Sequence, residues 1–426
     1  MERAEIQRRT LRVLTAGQVV GAAALASAIT VGAFVVQDIL GQETPWAGAA
    51  TATVTTGTAV MSQVLSRLMQ RRGRRSGLQL GYALAIVGGV VGGIGAEVGS
   101  LPLFLLGLFV YGNGQASNLL ARYAATDLAE PDERGRAMSR IVFASTFGAV
   151  FGPLLVGPAQ HAGQSWFGLE KYTGPWLFSS ALFVFATINT SARLRPDPLI
   201  EAARAEGTTL AAMRTERPRQ RMVDSVRTIR ARPGSRLAVL AMVISQMTMV
   251  GVMAMTPVHL KLHGHEGVSQ FVISLHIAGM YAFSPLVGRY SDRRGQLPAI
   301  RVGATLLVGA TVLAAVSGDV EQLLFPSLWL LGIGWNFGLI GGSSLLVESV
   351  ASGERVAVQG MADLMMSFCG GLAGFGSGFV RRAVGFQMLA AAATVGAAVL
   401  LIVAFTSRSA RDRAVAASVA APSVSA

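Results

Sequence analysis

The chain has 426 residues, of which 52% are apolar, only 14% are charged and 50 are glycine. A soluble protein of this size carries about 25% charged residues to cover its surface. A soluble enzyme, a disordered chain and a coiled coil are therefore excluded, and a polytopic membrane protein remains. The net charge of +13 would point to nucleic acid if the basic residues were spread over one surface, but their placement along the chain gives another reading.

The N-terminus is basic (Arg3, Arg8, Arg9, Arg12) and then apolar from Val13 to Val36. That run is too long for a signal-peptide core and reads as a first membrane span. Eleven further stretches reach the roughly 20 residues a spanning helix needs. The twelve fall at about 13–37, 45–66, 77–96, 101–121, 138–158, 174–192, 237–258, 269–288, 298–317, 323–346, 357–380 and 384–405. They are continuous apolar runs without the period-two alternation of a barrel, so helices are expected. The single cysteine, Cys369, falls inside span 11, so no intrachain disulfide or Cys-rich metal site can form.

With the N-terminus placed in the cytoplasm, 32 of the 36 Arg and Lys residues fall on the inside and only Lys171, Lys261, Arg381 and Arg382 outside. This asymmetry predicts both termini in the cytoplasm of a plasma membrane. It also accounts for the positive charge as topology, with no nucleic-acid surface. On this count every basic residue is placed and none sits mid-membrane.

The sequence repeats weakly at an offset of 222. Ser66-Arg-Leu-Met-Gln70-Arg71-Arg72-Gly73-Arg74 matches Gly288-Arg-Tyr-Ser-Asp292-Arg293-Arg294-Gly295-Gln296, and each follows the second span of its half. Glu133-Arg134 after span 4 matches Glu354-Arg355 after span 10. The expected organisation is an N-terminal six-helix bundle (1–192), a polar Arg-rich linker (193–235), a C-terminal bundle (236–406) and a disordered tail (407–426).

Two parallel repeats of six helices with a G-x-x-x-D-R-x-G loop resemble the major facilitator superfamily, over about Leu11 to Phe405. The resemblance implies an all-α membrane fold of twelve transmembrane helices in two six-helix bundles, with a substrate site between them. It implies that the loop Gly288, Asp292, Arg293 and Gly295 latches the cytoplasmic side. The N-half copy keeps Arg71 and Gly73 but has Gln70 at the acidic position and Ser66 at the first glycine.

Span 5 carries Gly148, Gly152, Pro153, Gly157 and Pro158, which resembles the G-x-x-x-G-P-x-x-G-G signature of antiporting exporters, with Val156 in place of one glycine. Gly152-Pro153 removes a backbone donor and permits a kink, and the glycine face is expected to press on a helix of the other half. Span 4 has Gly112-Asn113-Gly114, with Leu108 where such exporters carry an arginine, so that motif supplies no proton-coupling argument. Asn113, Gln115 and Asn118 are polar groups for either the cavity or interhelical hydrogen bonds.

Ionisable residues inside spans are costly and default to functional roles. Asp363 lies eight residues past Arg355, about 12 Å deep, and His276 ten past Glu266, about 15 Å deep. Both can exchange a proton. Asp38, at the outer end of span 1, is a third coupling candidate. The residues from His276 to Pro285 are expected to bend span 8. Trp46, Trp166 and Trp176 suit an interfacial belt, and Trp335-Asn336 either line the cavity or pack. His259, His263 and His265 in the outer loop read as a solvated segment, with no metal site. Glycine runs such as Gly92-Gly93-Ile94-Gly95 follow no strand, and no catalytic cluster appears.

The expected protein is a secondary transporter, not an enzyme, that works without a cofactor. It moves a small, moderately hydrophobic molecule by alternating access, as a monomer in a lipid bilayer, with proton-coupled export expected. A proton-linked importer or uniporter of the same fold is the alternative, and a membrane-embedded enzyme or sensor is the rival from another class.

Overall fold

A computed structural model describes residues 3–40, 46, 49–210, 218–262, 266–317 and 320–407. Apolar side chains all round a segment leave its backbone groups to be satisfied within it, and the chain answers with helices. In order they are α1 (Arg3–Leu40), α2 (Ala49–Arg72), α3 (Arg74–Glu97), α4 (Leu101–Ala124), α5 (Arg134–Leu154), α6 (Val156–Phe167), α7 (Thr173–Arg193), α8 (Pro198–Ala205), α9 (Pro218–Ala231), α10 (Pro233–Leu262), α11 (Glu266–Tyr281), α12 (Ser284–Arg294), α13 (Gln296–Val316), α14 (Leu324–Ser349), α15 (Ser352–Val384) and α16 (Phe386–Thr406). Each expected span is a single helix except span 5, built from α5 and α6, and span 8, built from α11 and α12. The tail from 408 onward, His263 and His265 lie outside the described residues.

Both breaks fall where the sequence places proline. Gly152-Pro153 ends α5, and α6 leaves it at 50°. Pro285 occupies the first turn of α12, where its missing N–H costs nothing. By length and composition, eight described helices qualify as membrane-crossing, and the bent α5–α6 pair is a ninth. The α2, α4 and α11–α12 segments complete twelve rods with fewer apolar residues because their polar atoms turn inward. The Thr58 hydroxyl of α2, for example, lies 3.0 Å from the Gly112 carbonyl of α4, which accepts from it. Two helices show how hydropathy and burial can oppose each other. In α16 hydropathy averages 2.5 with 28% of the span covered by protein, and in α14 it averages 1.5 with 78% covered.

One hydrophobic core draws on α1 to α7 and another on α10 to α16. The linker is helical in part and divides between them: Leu199 of α8 joins the first core and Ile229 of α9 the second. The halves meet along α2 against α15 and along α5 against α11 and α12.

Three expectations about side-chain placement need correction. The glycine face of span 5 does not press on the other half. A Cβ on Gly152 would stand 2.7 Å from the Ala23 carbonyl oxygen, and one on Gly148 2.5 Å from the Ala22 side chain, so both glycines seat α5 on α1 of the same half. Trp176 is fully buried, edge-on to Phe104 and Tyr111, rather than part of a belt. His259 belongs to the last turns of α10, buried and stacked 4.4 Å from the Phe386 ring, rather than to a solvated loop. Substituting Gly152 by leucine would overpack the α1–α5 contact. The expected result is a destabilisation of about 1–3 kcal/mol, read as a lowered thermal transition of the purified protein, with no such change for Gly157→Leu, where a Cβ meets nothing within 4 Å.

Candidate functional site

The arginine-rich loops, α8 and α9 all lie at one end of the bundle, called here the basic end. There, among the described residues, the polar side-chain contacts between the halves are concentrated.

The first set is built on α15. Gln359 and Asp363, four residues apart, share one face of that helix, and both are fully buried. Asp363 is reached from the other half by Arg122, in the last turn of α4. The Arg122 Nη2 donates to Asp363 Oδ1 and, at 3.1 Å, to the Tyr123 hydroxyl. Its Nε donates to Ser343 Oγ of α14 at 3.2 Å and its Nη1 to the Leu119 carbonyl at 2.7 Å. Asp363 Oδ2 has no hydrogen-bond partner among the described residues. The pair is therefore held by one carboxylate oxygen, with the other buried and unsatisfied. Breaking a buried pair by removing one partner costs about 3–5 kcal/mol.

One turn nearer the basic end, Gln359 Oε1 accepts from Arg74 Nη2 at 2.9 Å. The Arg74 guanidinium is bidentate on Asp127, at 2.8 Å from Nε and 3.0 Å from Nη2, and is itself fully buried. The local sequence places it well. Gly73, at φ 89°, makes the turn that ends α2 and starts α3 at Arg74. Asp197, arriving after α7, accepts from the backbone N–H of Arg74 at 3.1 Å and of Arg75 at 2.7 Å, capping α3. Gly360 lets α15 approach Ser66 of α2 between these two layers.

The second set is the C-half loop. Asp292, at the end of α12, accepts at 2.8 Å from the backbone N–H of both Gly135 and Arg136, the free donors at the start of α5, and at 3.3 Å from Arg136 Nε. A carboxylate at a helix N-terminus gains from both the donors and the dipole. Burial lifts the Asp292 carboxyl above the ordinary carboxylate range, against the pull of those backbone donors. One turn back, Gly288 lies directly on Ser139 and on the Gly135 carbonyl, with no room for a side chain. Gly295, at φ 94°, makes the turn into α13 as Gly73 does into α3. Arg293 and Arg71 point to the exterior.

The other sequence candidates are distributed within the halves. His276 is fully buried, and its Nδ1 donates to the Leu328 carbonyl of α14 at 2.8 Å, leaving Nε2 without a partner among the described residues. Asn336 shares a hydrogen bond with Ser284 at the break of span 8. Asn118 Oδ1 accepts from Tyr82 at 3.0 Å, and Asn113 Nδ2 donates to its own helix at Val110. Asp38 is exposed at the end of α1, and Gln115 is half-buried. Trp335 Nε1 donates to Gln246 Oε1 of α10 at 2.7 Å, with Tyr281 edge-on at 5.8 Å. Gln246, Tyr281 and Trp335 each lie 13 or 14 residues from the basic end of their rod, about 20 Å deep.

The sequence places Arg122 and Arg74 in loops and offers Asp363 a helix end or loop arginines in general, without singling out Arg122. Arg122 instead sits inside α4, and Arg74 is buried at the first residue of α3. One local signal existed: Asn118 and Arg122 are four apart, which aims the arginine along the polar face of span 4. Nothing local connects either arginine to Asp127, Gln359 or Asp363. Among the described residues no group of three His, Cys, Asp or Glu side chains is arranged to hold a metal.

The chain matches the family profile described as Major Facilitator Superfamily over residues 14–375. It is 36% identical over 395 residues to the uncharacterized MFS-type transporter YddS of Bacillus subtilis, covering 92% of this chain and 89% of that one. It is 27% identical over 300 residues to the riboflavin transporter RfnT of Brucella anthropi, covering 69% and 70% of the two chains. Among solved structures, the human organic anion transporter MFSD10 superposes with a TM-score of 0.71 at 15% identity, covering 93% of this chain and 99% of that one, a likeness of fold. A relative above 30% identity over most of both chains, the family profile and a helical bundle with two cores agree: the chain belongs to the Major Facilitator Superfamily and is a multi-pass membrane transporter rather than an enzyme.

Proposed function

We propose that this transporter is a proton-coupled exporter in which Asp363 carries the coupling proton and the Arg122–Asp363 pair holds the basic end shut. The observation that carries the reading is the half-satisfied Asp363 carboxylate, buried between the halves with Oδ2 unpartnered. Protonation at Oδ2 neutralises the carboxylate and leaves Arg122 as a buried, unmatched charge. The halves then separate at the basic end so that water can reach the guanidinium. Release of the proton restores the pair and closes that end. The 32:4 partition of basic residues supports a cytoplasmic basic end and cytoplasmic termini. A proton entering from the outer side then opens the inner gate, and substrate loads as the proton leaves. The glycine–proline break of span 5 supports export. His276 is the second coupling candidate, but its bond to the Leu328 carbonyl ties it inside one half, away from the gate. Asp38 is a third, exposed at the far end of α1 and remote from the inter-half contacts.

The substrate is read as a compact aromatic molecule with little charge. Trp335 and Tyr281 offer ring edges and faces at mid-depth, and Gln246 keeps an amide N–H₂ for a ring carbonyl or nitrogen. The name of the relative from Brucella anthropi supports the same class. The test is proton and substrate flux in proteoliposomes under an imposed pH gradient, with a panel of fluorescent aromatic dyes and riboflavin. Export coupling requires proton and substrate to move in opposite directions, and Trp335→Ala is expected to lower substrate affinity about tenfold. Movement in the same direction would replace the exporter by an importer. Substrate exchange indifferent to the gradient would remove proton coupling altogether.

A further inference from the structure

On the perimeter of the C-half, at the basic end, a cavity of about 290 Å³ opens between α12, α13 and α16. It is lined by Tyr290, Pro298, Arg301, Val302, Thr305, Leu306 and Phe405. It is separate from the inter-half gate and from the mid-depth aromatic group. We propose that it is a binding site for an anionic phospholipid of the leaflet on the basic-end side, with the phosphate on Arg301 and an acyl chain along α13.

Depth is the first argument. Arg301 is five residues into α13 and Thr305 nine, which places them about 7 Å and 14 Å from the helix start. The cavity thus runs from the level of headgroups into the hydrocarbon, with Arg301 the one charged side chain among apolar, tyrosine and threonine walls. An arginine at such a depth ordinarily snorkels out to water.

Arg301 does not snorkel. Its Nε donates to the Ala404 carbonyl at 3.0 Å and its Nη2 to the Ser407 carbonyl at 2.9 Å, satisfying acceptors left over at the end of α16. The guanidinium carbon stands 5.2 Å from the centre of the Phe405 ring. The planar group is therefore fixed at the cavity, and Nη1 makes no hydrogen bond among the described residues. A fixed guanidinium with a free donor is suited to a phosphate oxygen.

Charge is the third argument. Arg294 is exposed one turn beyond Tyr290, four residues along and hence on the same face of α12, so a second cation stands at the headgroup level. The nearest acidic groups are engaged elsewhere: Asp292 caps α5, and Glu348 accepts from Gln296 at 2.6 Å. Ser407, at the end of α16, lies beside the cavity, and the sequence that follows it carries Arg408, Arg411, Asp412 and Arg413, a net positive charge that does not complement Arg301.

The experiment is native mass spectrometry of the full chain, titrated in micelles with phosphatidylglycerol or phosphatidylcholine. Wild type is expected to retain phosphatidylglycerol selectively. Arg294→Gln is expected to lower that preference about fivefold, the value of one arginine near an anionic surface, and Arg301→Gln at least as much. Thr305→Trp fills the cavity from an exposed position while leaving the Arg301 bonds to α16 intact, and should abolish the selective adduct without lowering the thermal transition. Equal retention of the two lipids by wild type would overturn the proposal. So would selective retention unchanged in Thr305→Trp and Arg301→Gln, or selective binding that emerges only when the chain is ended at Ser407.

Discussion

Asp363→Asn is expected to abolish accumulation driven by a pH gradient while leaving substrate exchange in place. The asparagine resembles the protonated acid but cannot release a proton. It also leaves the Arg122 guanidinium buried against a neutral group, a penalty of about 3–5 kcal/mol. That shifts the equilibrium between the basic-end-closed and basic-end-open arrangements by roughly two to four orders of magnitude. The shift can be followed without knowing the substrate. With Cys369 replaced by alanine, spin labels at Arg72 and Arg293, both exposed and on opposite halves, report the separation of the basic ends. A short distance is expected in wild type at neutral pH and a long one in Asp363→Asn. Arg122→Gln should open the same end, because the carboxylate left behind gains nothing from closure. Combining the two neutral substitutions should bring back closure, now insensitive to pH. A double variant as open as either single one would show that the pair is not the element that holds the halves, and retained gradient-driven accumulation in Asp363→Asn would move coupling elsewhere.

The second large effect is expected at Gly288. A Cβ at this position would meet Ser139 and the Gly135 carbonyl oxygen at under 3 Å, and Asp292 one turn on caps the same helix start. A valine at 288 cannot be relieved by a rotamer change, because part of what it meets is backbone. It therefore acts as a wedge between α5 and α12. Loss of turnover by at least a hundredfold is expected, with the spin-label distance fixed at its open value whatever the pH. Asp292→Ala removes the cap without inserting bulk. Its cost is about 0.5–2 kcal/mol, so the closed arrangement should be weakened by about three- to thirtyfold and turnover reduced but not lost. If Gly288→Val transported normally, the contact seen here would not be a necessary station of the cycle. A fall in the amount of folded protein equal for Gly288→Val and Gly152→Leu would assign the effect to packing rather than to gating.

The two substitutions act on different physical quantities. On the proposed mechanism, the closed state depends at Asp363 on a charge balance that a proton can change, and at Gly288 on a backbone approach that no solute alters. That proposal separates a pH-responsive contact in the interior, between α4 and α15, from a fixed steric contact at the rim, between α5 and α12. Arg74, Asp127 and Gln359 form a second polar layer between them, in which the cation already has two carboxylate bonds within its own half. That layer can lose its contact to Gln359 without stranding a charge, which allows the halves to part there at little cost.

Much of this protein follows from local sequence. Hydropathy and length place twelve rods, because lipid requires every segment to satisfy its own backbone. Pro153 and Pro285 mark the two broken rods, because a missing N–H acts within four residues. Gly73, Gly295 and Gly385 mark sharp turns between helices, because a positive φ is a property of one residue. The arginine asymmetry separates the two ends. Each of these depends on neighbours in the chain.

The proposed gate has a different origin. Arg122 and Asp363 are 241 positions apart, and Arg74 and Gln359 are 285 apart. A basic residue two positions from a helix end reads as a loop residue until the opposite half supplies a buried carboxylate to receive it. The glycines of span 5 announce a close helix contact, but which helix they meet depends on how α5 is rotated in the bundle, and it proves to be α1. Asn336 and His276 announce buried polarity, and packing against Ser284 and the Leu328 carbonyl directs both into one half. Periodicity shows that a face is polar or small, whereas the identity of the partner comes from the docking of the two cores, in which desolvated charges and close-packed backbones have few compatible arrangements.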